Sequence, residues 1–279
     1  MYEVRKGVLF VENQSVEAMT SPNRGGKFPA PPAIVVMHFT AGGSGRSSAN
    51  WFRHPDNSSS SAHIVIERDG SIIQCVNFND VAWHAGKSTW KGLTGLNRYS
   101  IGIELANWGM LRGSGSEWVN GAGQKVTDPY IGVHRNGNPD GSHRPVGWEA
   151  FPKAQFDSAR AVVTALSSAY PIKEIVGHDD IAPTRKSDPG PAFDMNRFRS
   201  LVYGDRKDKG GNVKQVGSTS GLNLRSGPGL NFSVLRLLDD KTKVEPISID
   251  GNWVEISVLD KNGNAVATGW VHGHYLRDT

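Results

Sequence analysis

The stretch Gly204-Asp205-Arg206-Lys207-Asp208-Lys209-Gly210-Gly211-Asn212 constrains this chain most, because it interrupts the apolar pattern with charges and glycines and the pattern resumes in a different form. Before it, residues from about Tyr2 to Tyr203 alternate apolar runs with longer segments, which predicts a mixed α/β domain. Strands are expected at Ala33 to His38, Ala62 to Ile66, Ser71 to Val76 and Ser100 to Leu105, with Arg68-Asp69-Gly70 as a tight turn between the second and third. Ala154, Phe156, Ala159, Val162, Val163 and Leu166 recur at helical spacing before Pro171, so a helix is expected over Lys153 to Ala169, and a second over Asp194 to Leu201. After the break, short runs at Val234 to Leu238, Lys243 to Ile249, Trp253 to Val258 and Gly269 to His272 predict a small all-β barrel. The expected division is a first domain over 1–203, a linker over 204–217 and a second domain over 218–279.

Between Asn107 and Trp148 lies a long Gly-, Asn- and Pro-rich segment, which reads equally as a binding loop or an oligomer contact. The net charge of +4 suits anionic partners such as cell-wall polymers and is too mild to argue for nucleic acid. The single cysteine, Cys75, excludes an intrachain disulfide and sits in an alternating run as a small apolar residue. No transmembrane run or lipidation motif is present, and Val8-Leu9-Phe10-Val11 is too short for a signal peptide. The expectation is a chain made in the cytoplasm without membrane insertion, which reaches the wall through a holin or a secretion system or else acts inside the cell.

The chemistry concentrates in Val176-Gly177-His178-Asp179-Asp180-Ile181-Ala182-Pro183-Thr184-Arg185-Lys186-Ser187-Asp188-Pro189-Gly190, where a histidine, a lysine and an aspartate share one irregular stretch. The run Ala33-Ile34-Val35-Val36-Met37-His38 ends a predicted buried strand on another histidine. Two imidazoles and a carboxylate, His38, His178 and Asp188, would hold Zn2+ and leave its fourth position open, the arrangement of catalytic rather than structural zinc. Glu104 stands in the otherwise apolar strand Ile101-Gly102-Ile103-Glu104-Leu105, which suits a carboxylate opening into a cleft, and Lys186 is a cation two residues from Asp188. In kind, Glu104 fits a general base and Lys186 an oxyanion stabiliser. Taken singly, each has an ordinary structural explanation: a satisfied strand-end histidine, a salt-bridged glutamate, a solvated lysine, an aspartate starting a turn.

Taken in order, Val35 to Gly42, Ser61 to Gly70, Trp83-His84-Ala85-Gly86, Asn97 to Glu104, Gly177-His178 and Lys186 to Gly190 resemble the type 2 N-acetylmuramoyl-L-alanine amidases, a family that shares its fold with peptidoglycan recognition proteins and phage lysozyme-type amidases. The resemblance spans roughly Ile34 to Phe198. It implies a mixed central β-sheet flanked by helices, zinc on His38, His178 and Asp188, and Glu104 and Lys186 as catalytic partners. The implied reaction cleaves the amide between N-acetylmuramic acid and L-alanine in peptidoglycan. His63, Trp83 and His84 fall in the same motifs and are expected to line the substrate site. Two other outcomes stay open: a peptidoglycan-binding protein without catalysis, and an amidase of anhydro-muropeptides in wall recycling. Leu222 to Gly229, Gly251 to Ile256 and Gly269 to Leu276 are similar to bacterial SH3 domains, which implies a wall-binding module.

Overall fold

The computed structural model describes residues 1–115, 117–196, 198–199, 213–250, 252–261, 263 and 265–278. Contacts divide the chain into two units, Met1–Asp205 and Arg206–Thr279. The expected helix at Asp194 to Leu201 and most of the expected linker fall partly or wholly outside the described residues. Among the described residues no helix is long and apolar enough to cross a membrane.

The first unit is organised by a six-stranded mixed sheet. Its strands are β1 (Glu17–Ala18), β2 (Ile34–Phe39), β3 (Ile64–Ile66), β4 (Ile72–Gln74), β5 (Ser100–Leu105) and β6 (Glu174–Gly177), in the spatial order β6-β2-β5-β3-β4-β1. Strands β6, β2, β5 and β3 run parallel, while β3 and β4 form an antiparallel hairpin through Gly70, whose φ of 87° needs a residue without a Cβ. Parallel strands covered on both faces read as continuous apolar runs, and these do.

The period of two sorts the side chains of β2 and β5 onto two faces. Val35, Met37, Ile101, Ile103 and Leu105 pack into the main core against Ala159, Val162, Val163 and Leu166 of α2 (Lys153–Ala169). Ile34 and Val36 pack on the other face with Val176 and Ile181, and His38 and Glu104 extend that face to the C-terminal ends of the strands. Helix α1 (Gly45–Phe52) covers part of this second face, burying Ala49 and Phe52 with Val65 and Ile73. Its sequence is short and mostly polar, and Ser44 caps it by accepting the Ser47 N–H at 3.1 Å. Cys75 is buried in the same cluster, and burial pushes its thiol up to about 12, so it is an inert packing residue.

Residues 107–148 carry more structure than their composition suggests. Two small antiparallel sheets form, one from Arg112–Ser114, Glu117–Val119 and Lys125–Val126, the other from Tyr130–Gly132 and Val146–Trp148. They close over a separate apolar cluster of Leu111, Trp118, Val146 and Trp148. The many glycines hid this, because the strands are only two or three residues long and four side chains make the cluster.

The second unit is one seven-stranded antiparallel sheet with an SH3-like fold: β7 (Lys214–Val216), β8 (Leu222–Arg225), β9 (Val234–Leu238), β10 (Lys243–Asp250), β11 (Trp253–Leu259), β12 (Ala265–His272) and β13 (Leu276–Asp278), ordered β9-β8-β12-β11-β10-β7-β13. Lys214 to Val216, expected in the linker, instead belong to the sheet, since β7 pairs with β10 on one side and β13 on the other. The core is aliphatic, with Val216, Leu222, Leu224, Leu238, Val244, Ile256, Val258 and Val271. Trp253, Trp270 and Tyr275 lie outside it, partly or largely exposed.

Candidate functional site

Parallel register sets the site. Glu104 on β5 is the direct partner of His38 on β2, so both side chains leave the same face side by side. Gly177 ends β6 opposite Met37, and the chain turns at once into the four-residue helix α3 (His178–Ile181), which puts His178 across from His38. Asp188 returns ten residues later. His38, His178 and Asp188 are all buried.

The two Nδ1 atoms are 2.9 Å apart, and each lies 2.9 Å from Asp188 Oδ2, an equilateral triangle of potential donors. Their outer partners fix the tautomers. His178 Nε2 donates to the Ala85 carbonyl at 3.1 Å, which leaves its Nδ1 as a lone pair. His84 Nε2 faces the Ser100 carbonyl at 3.3 Å and must donate to it; its Nδ1 then accepts, at 3.0 Å, from His38 Nε2. The Nδ1 of His38 is thereby also a lone pair. Burial pushes the His38 imidazole down to about 4, which keeps it neutral at pH 7.

Three lone-pair acceptors at hydrogen-bond distance with no proton among them repel one another unless a cation sits between them. Two neutral imidazoles and a carboxylate are a donor set that zinc takes, and bonds of 2.0–2.1 Å in a tetrahedron place ligand atoms about 3.3 Å apart, close to the spacing found. Outer hydrogen bonds that lock ring orientation are the usual support of such ligands.

Glu104 is partly buried with its Oε2 sealed from solvent and without a hydrogen-bond partner. Burial, reinforced by the charge of Asp188, pushes its carboxyl up to about 8, and Lys186 pulls the other way. Glu104, Lys186, Trp83 and His84 line one cleft with the three donors, a cavity of about 610 Å³. Two more residues on its wall stand out in no motif, Arg185 and Trp51. Arg185 bonds the Ala85 and Lys87 carbonyls at 2.9 Å, and Trp51 on α1 stands half exposed. Ser44, the cap of α1, was the one available signal for Trp51.

His63 is a correction to the expected substrate contacts. It is fully buried and does not reach the cleft: its Nδ1 accepts from the Gly102 N–H at 3.0 Å and its Nε2 donates to the Asp80 carbonyl at 2.9 Å. His84 touches the cleft but spends both nitrogens on His38 and Ser100. Gly102 makes room for it, since a Cβ there would stand 2.4 Å from the imidazole.

Comparison with known proteins bears on the same residues. Residues 28–191 match the family model described as N-acetylmuramoyl-L-alanine amidase, and residues 220–277 match the bacterial SH3 domain. The 1,6-anhydro-N-acetylmuramyl-L-alanine amidase AmpD of Escherichia coli (strain K12) is 40% identical over 144 residues, 51% of this chain and 58% of AmpD. The N-acetylmuramoyl-L-alanine amidase AmiD of the same strain is 32% identical over 179 residues, 61% of this chain and 53% of AmiD. The chain thus spans about half the length of the curated relatives it matches. A crystal structure of a Se-Met AmpD derivative superposes with a TM-score of 0.50 at 29% identity, over 71% of this chain and 98% of its own.

Proposed function

Because the chain belongs to the N-acetylmuramoyl-L-alanine amidase family, we propose that it hydrolyses the amide between N-acetylmuramic acid and L-alanine in peptidoglycan, using zinc held by His38, His178 and Asp188. The observation that carries this reading is the triangle of unprotonated donors in one cleft with Glu104, whose buried Oε2 has no hydrogen-bond partner. Zinc there would supply a Lewis acid for water and for the amide carbonyl. Glu104 takes the proton of the attacking water as its oxygen bonds to the lactyl carbonyl carbon, and returns that proton to the L-alanine nitrogen as the C–N bond breaks. Lys186 faces the oxyanion that develops on the former carbonyl. Trp83 forms the substrate-facing wall, while His84 and His63 act behind it as scaffold.

Residues 1–203 make the catalytic domain in this proposal, and the SH3-like unit binds wall polymer, which raises local substrate concentration without adding catalytic contacts. A second reading, action on anhydro-muropeptides in wall recycling, is supported by the 40%-identical relative, a 1,6-anhydro-N-acetylmuramyl-L-alanine amidase. Mass spectrometry of products tests both, with sacculi and soluble anhydro fragments offered to metal-replete and chelator-treated protein. Stem peptides beginning at L-alanine, released only by metal-replete protein, are expected, and the preferred substrate separates the two readings. Glu104→Gln should keep its zinc and lose roughly 10²–10⁴-fold in turnover. Sacculi that retain the protein yet yield no peptide would instead make it a binding protein.

A further inference from the structure

The donors His178 and Asp188 sit ten residues apart on a loop whose only regular piece is the four-residue α3, so something outside the loop must fix their 2.9 Å approach. We infer that the 107–148 segment is a brace for this loop, with His134 and Arg135 as positioning residues for the metal donors, an inference that rests on the zinc reading above.

Asp179, directly after His178, carries the argument. Every polar group it has is used, three of them by consecutive residues of the brace. Its Oδ2 accepts from His134 Nε2 at 3.0 Å, its Oδ1 from Arg135 Nη2 at 2.6 Å, and its carbonyl from Asn136 Nδ2 at 3.0 Å. The fourth, its N–H, donates to the carbonyl of Asp188 at 2.9 Å and so ties the two donor residues together. The direction of the His134 bond is set, because His134 Nδ1 accepts the Asn136 N–H at 3.1 Å and the proton must sit on Nε2. Arg135 also reaches Asp180 Oδ1 at 2.8 Å, and Asp180 Oδ2 holds the Gly177 N–H at 2.7 Å, so the residue on the other side of His178 is fixed as well.

The far end of the loop meets the brace independently. Gly190, two residues past Asp188 and at a φ of 75°, packs so closely that a Cβ would stand 3.0 Å from the Trp148 ring. Trp148 belongs to the brace's own apolar cluster, and the next residue, Glu149, is anchored by a two-point ion pair to Arg68 at 3.0 and 2.9 Å. The carboxylate of Asp179 is only 6% exposed and keeps Arg135, so losing the His134 N–H leaves a buried carboxylate oxygen without its hydrogen bond, and the cheapest relief is movement of the backbone that bears His178.

The test uses the full chain and three variants, His134→Leu, His134→Gln and His134→Asn, read by competition of zinc against a chromophoric chelator and by the visible absorption of the cobalt-substituted protein. Gln places a donor where Nε2 stands; Asn is too short to reach Asp179. His134→Leu is expected to weaken zinc binding roughly 10–100-fold and to shift the cobalt spectrum, with His134→Gln restoring affinity to within about threefold. A folded His134→Leu that binds zinc within about twofold of wild type overturns the brace. Should His134→Leu not fold, equal zinc affinity in the Gln and Asn variants overturns it. A wild-type chain that binds no zinc overturns the zinc reading and the brace with it, whereas tight wild-type binding with unmoved variants overturns the brace alone.

Discussion

Two pairs of histidines lie within one buried neighbourhood and differ in a single respect. His38 and His178 turn their outer nitrogens to His84 and Ala85 and are left with inner lone pairs that face each other and Asp188. His63 and His84 spend both nitrogens on neighbours, mostly backbone carbonyls and amides. All four are buried, so burial and residue type do not separate a donor from a scaffold. What separates them is whether a lone pair remains unspent after the surrounding hydrogen bonds have fixed the tautomer.

The largest difference between the pairs is expected at His178. His178→Ala removes one of three donors, and both bound zinc and amide hydrolysis are expected to fall to background, while His63→Gln keeps one zinc per chain. Elemental analysis of the two purified variants decides, and a fully metallated His178→Ala would erase the distinction between the pairs. A smaller effect is expected one bond further out. His84→Phe preserves a ring over Gly102 but offers His38 Nε2 no acceptor, which frees that imidazole to flip its tautomer. Zinc affinity should drop roughly 10–100-fold with the fold intact. Unchanged affinity would show that the orientation of His38 is set by packing and not by the bond to His84.

How far the sequence revealed this can be judged from the same residues. Ser100–Leu105 and Lys153–Ala169 fold as expected, the strand as a short apolar run buried on both faces and the helix by burying one periodic apolar face. Glu104 stood out for being charged in such a run, but the register that pairs it with His38 is one residue away from an end-to-end alignment of the two expected strands and came only with the structure. The motifs therefore carried the fold and pointed to residues that the structure brings together. What they could not carry was tautomer and depth. His63 and His84 read alike as motif histidines, yet His63 lies behind the sheet edge because the Gly102 amide and the Asp80 carbonyl claim it. The brace was illegible for a related reason: Asp179 looks like any aspartate at a helix start until residues 134–136, more than forty positions earlier, are brought onto it.

The scaffold histidine His63 differs from the donors in its effect on stability against pH. Burial is the largest cause that pushes His63 from 6.5 down to about 4, outweighing the carbonyl and carboxylate of Asp80, so the folded chain holds it neutral across the range where the unfolded chain protonates it. The unfolded state binds the extra proton, and stability from this group is complete above pH 6.5 and is lost as the pH falls through about 4. A displacement of that size corresponds to on the order of 3 kcal/mol. The zinc donors also take up protons in acid, so the wild-type curve alone does not isolate His63. His63→Gln keeps a donor and an acceptor but has nothing to titrate, and its denaturation free energy should fall less steeply than that of wild type between pH 6.5 and 4, with little change in hydrolysis at neutral pH. Parallel curves for the two proteins would mean that His63 is not held neutral, and that its two backbone hydrogen bonds are not what sets it apart from the donors.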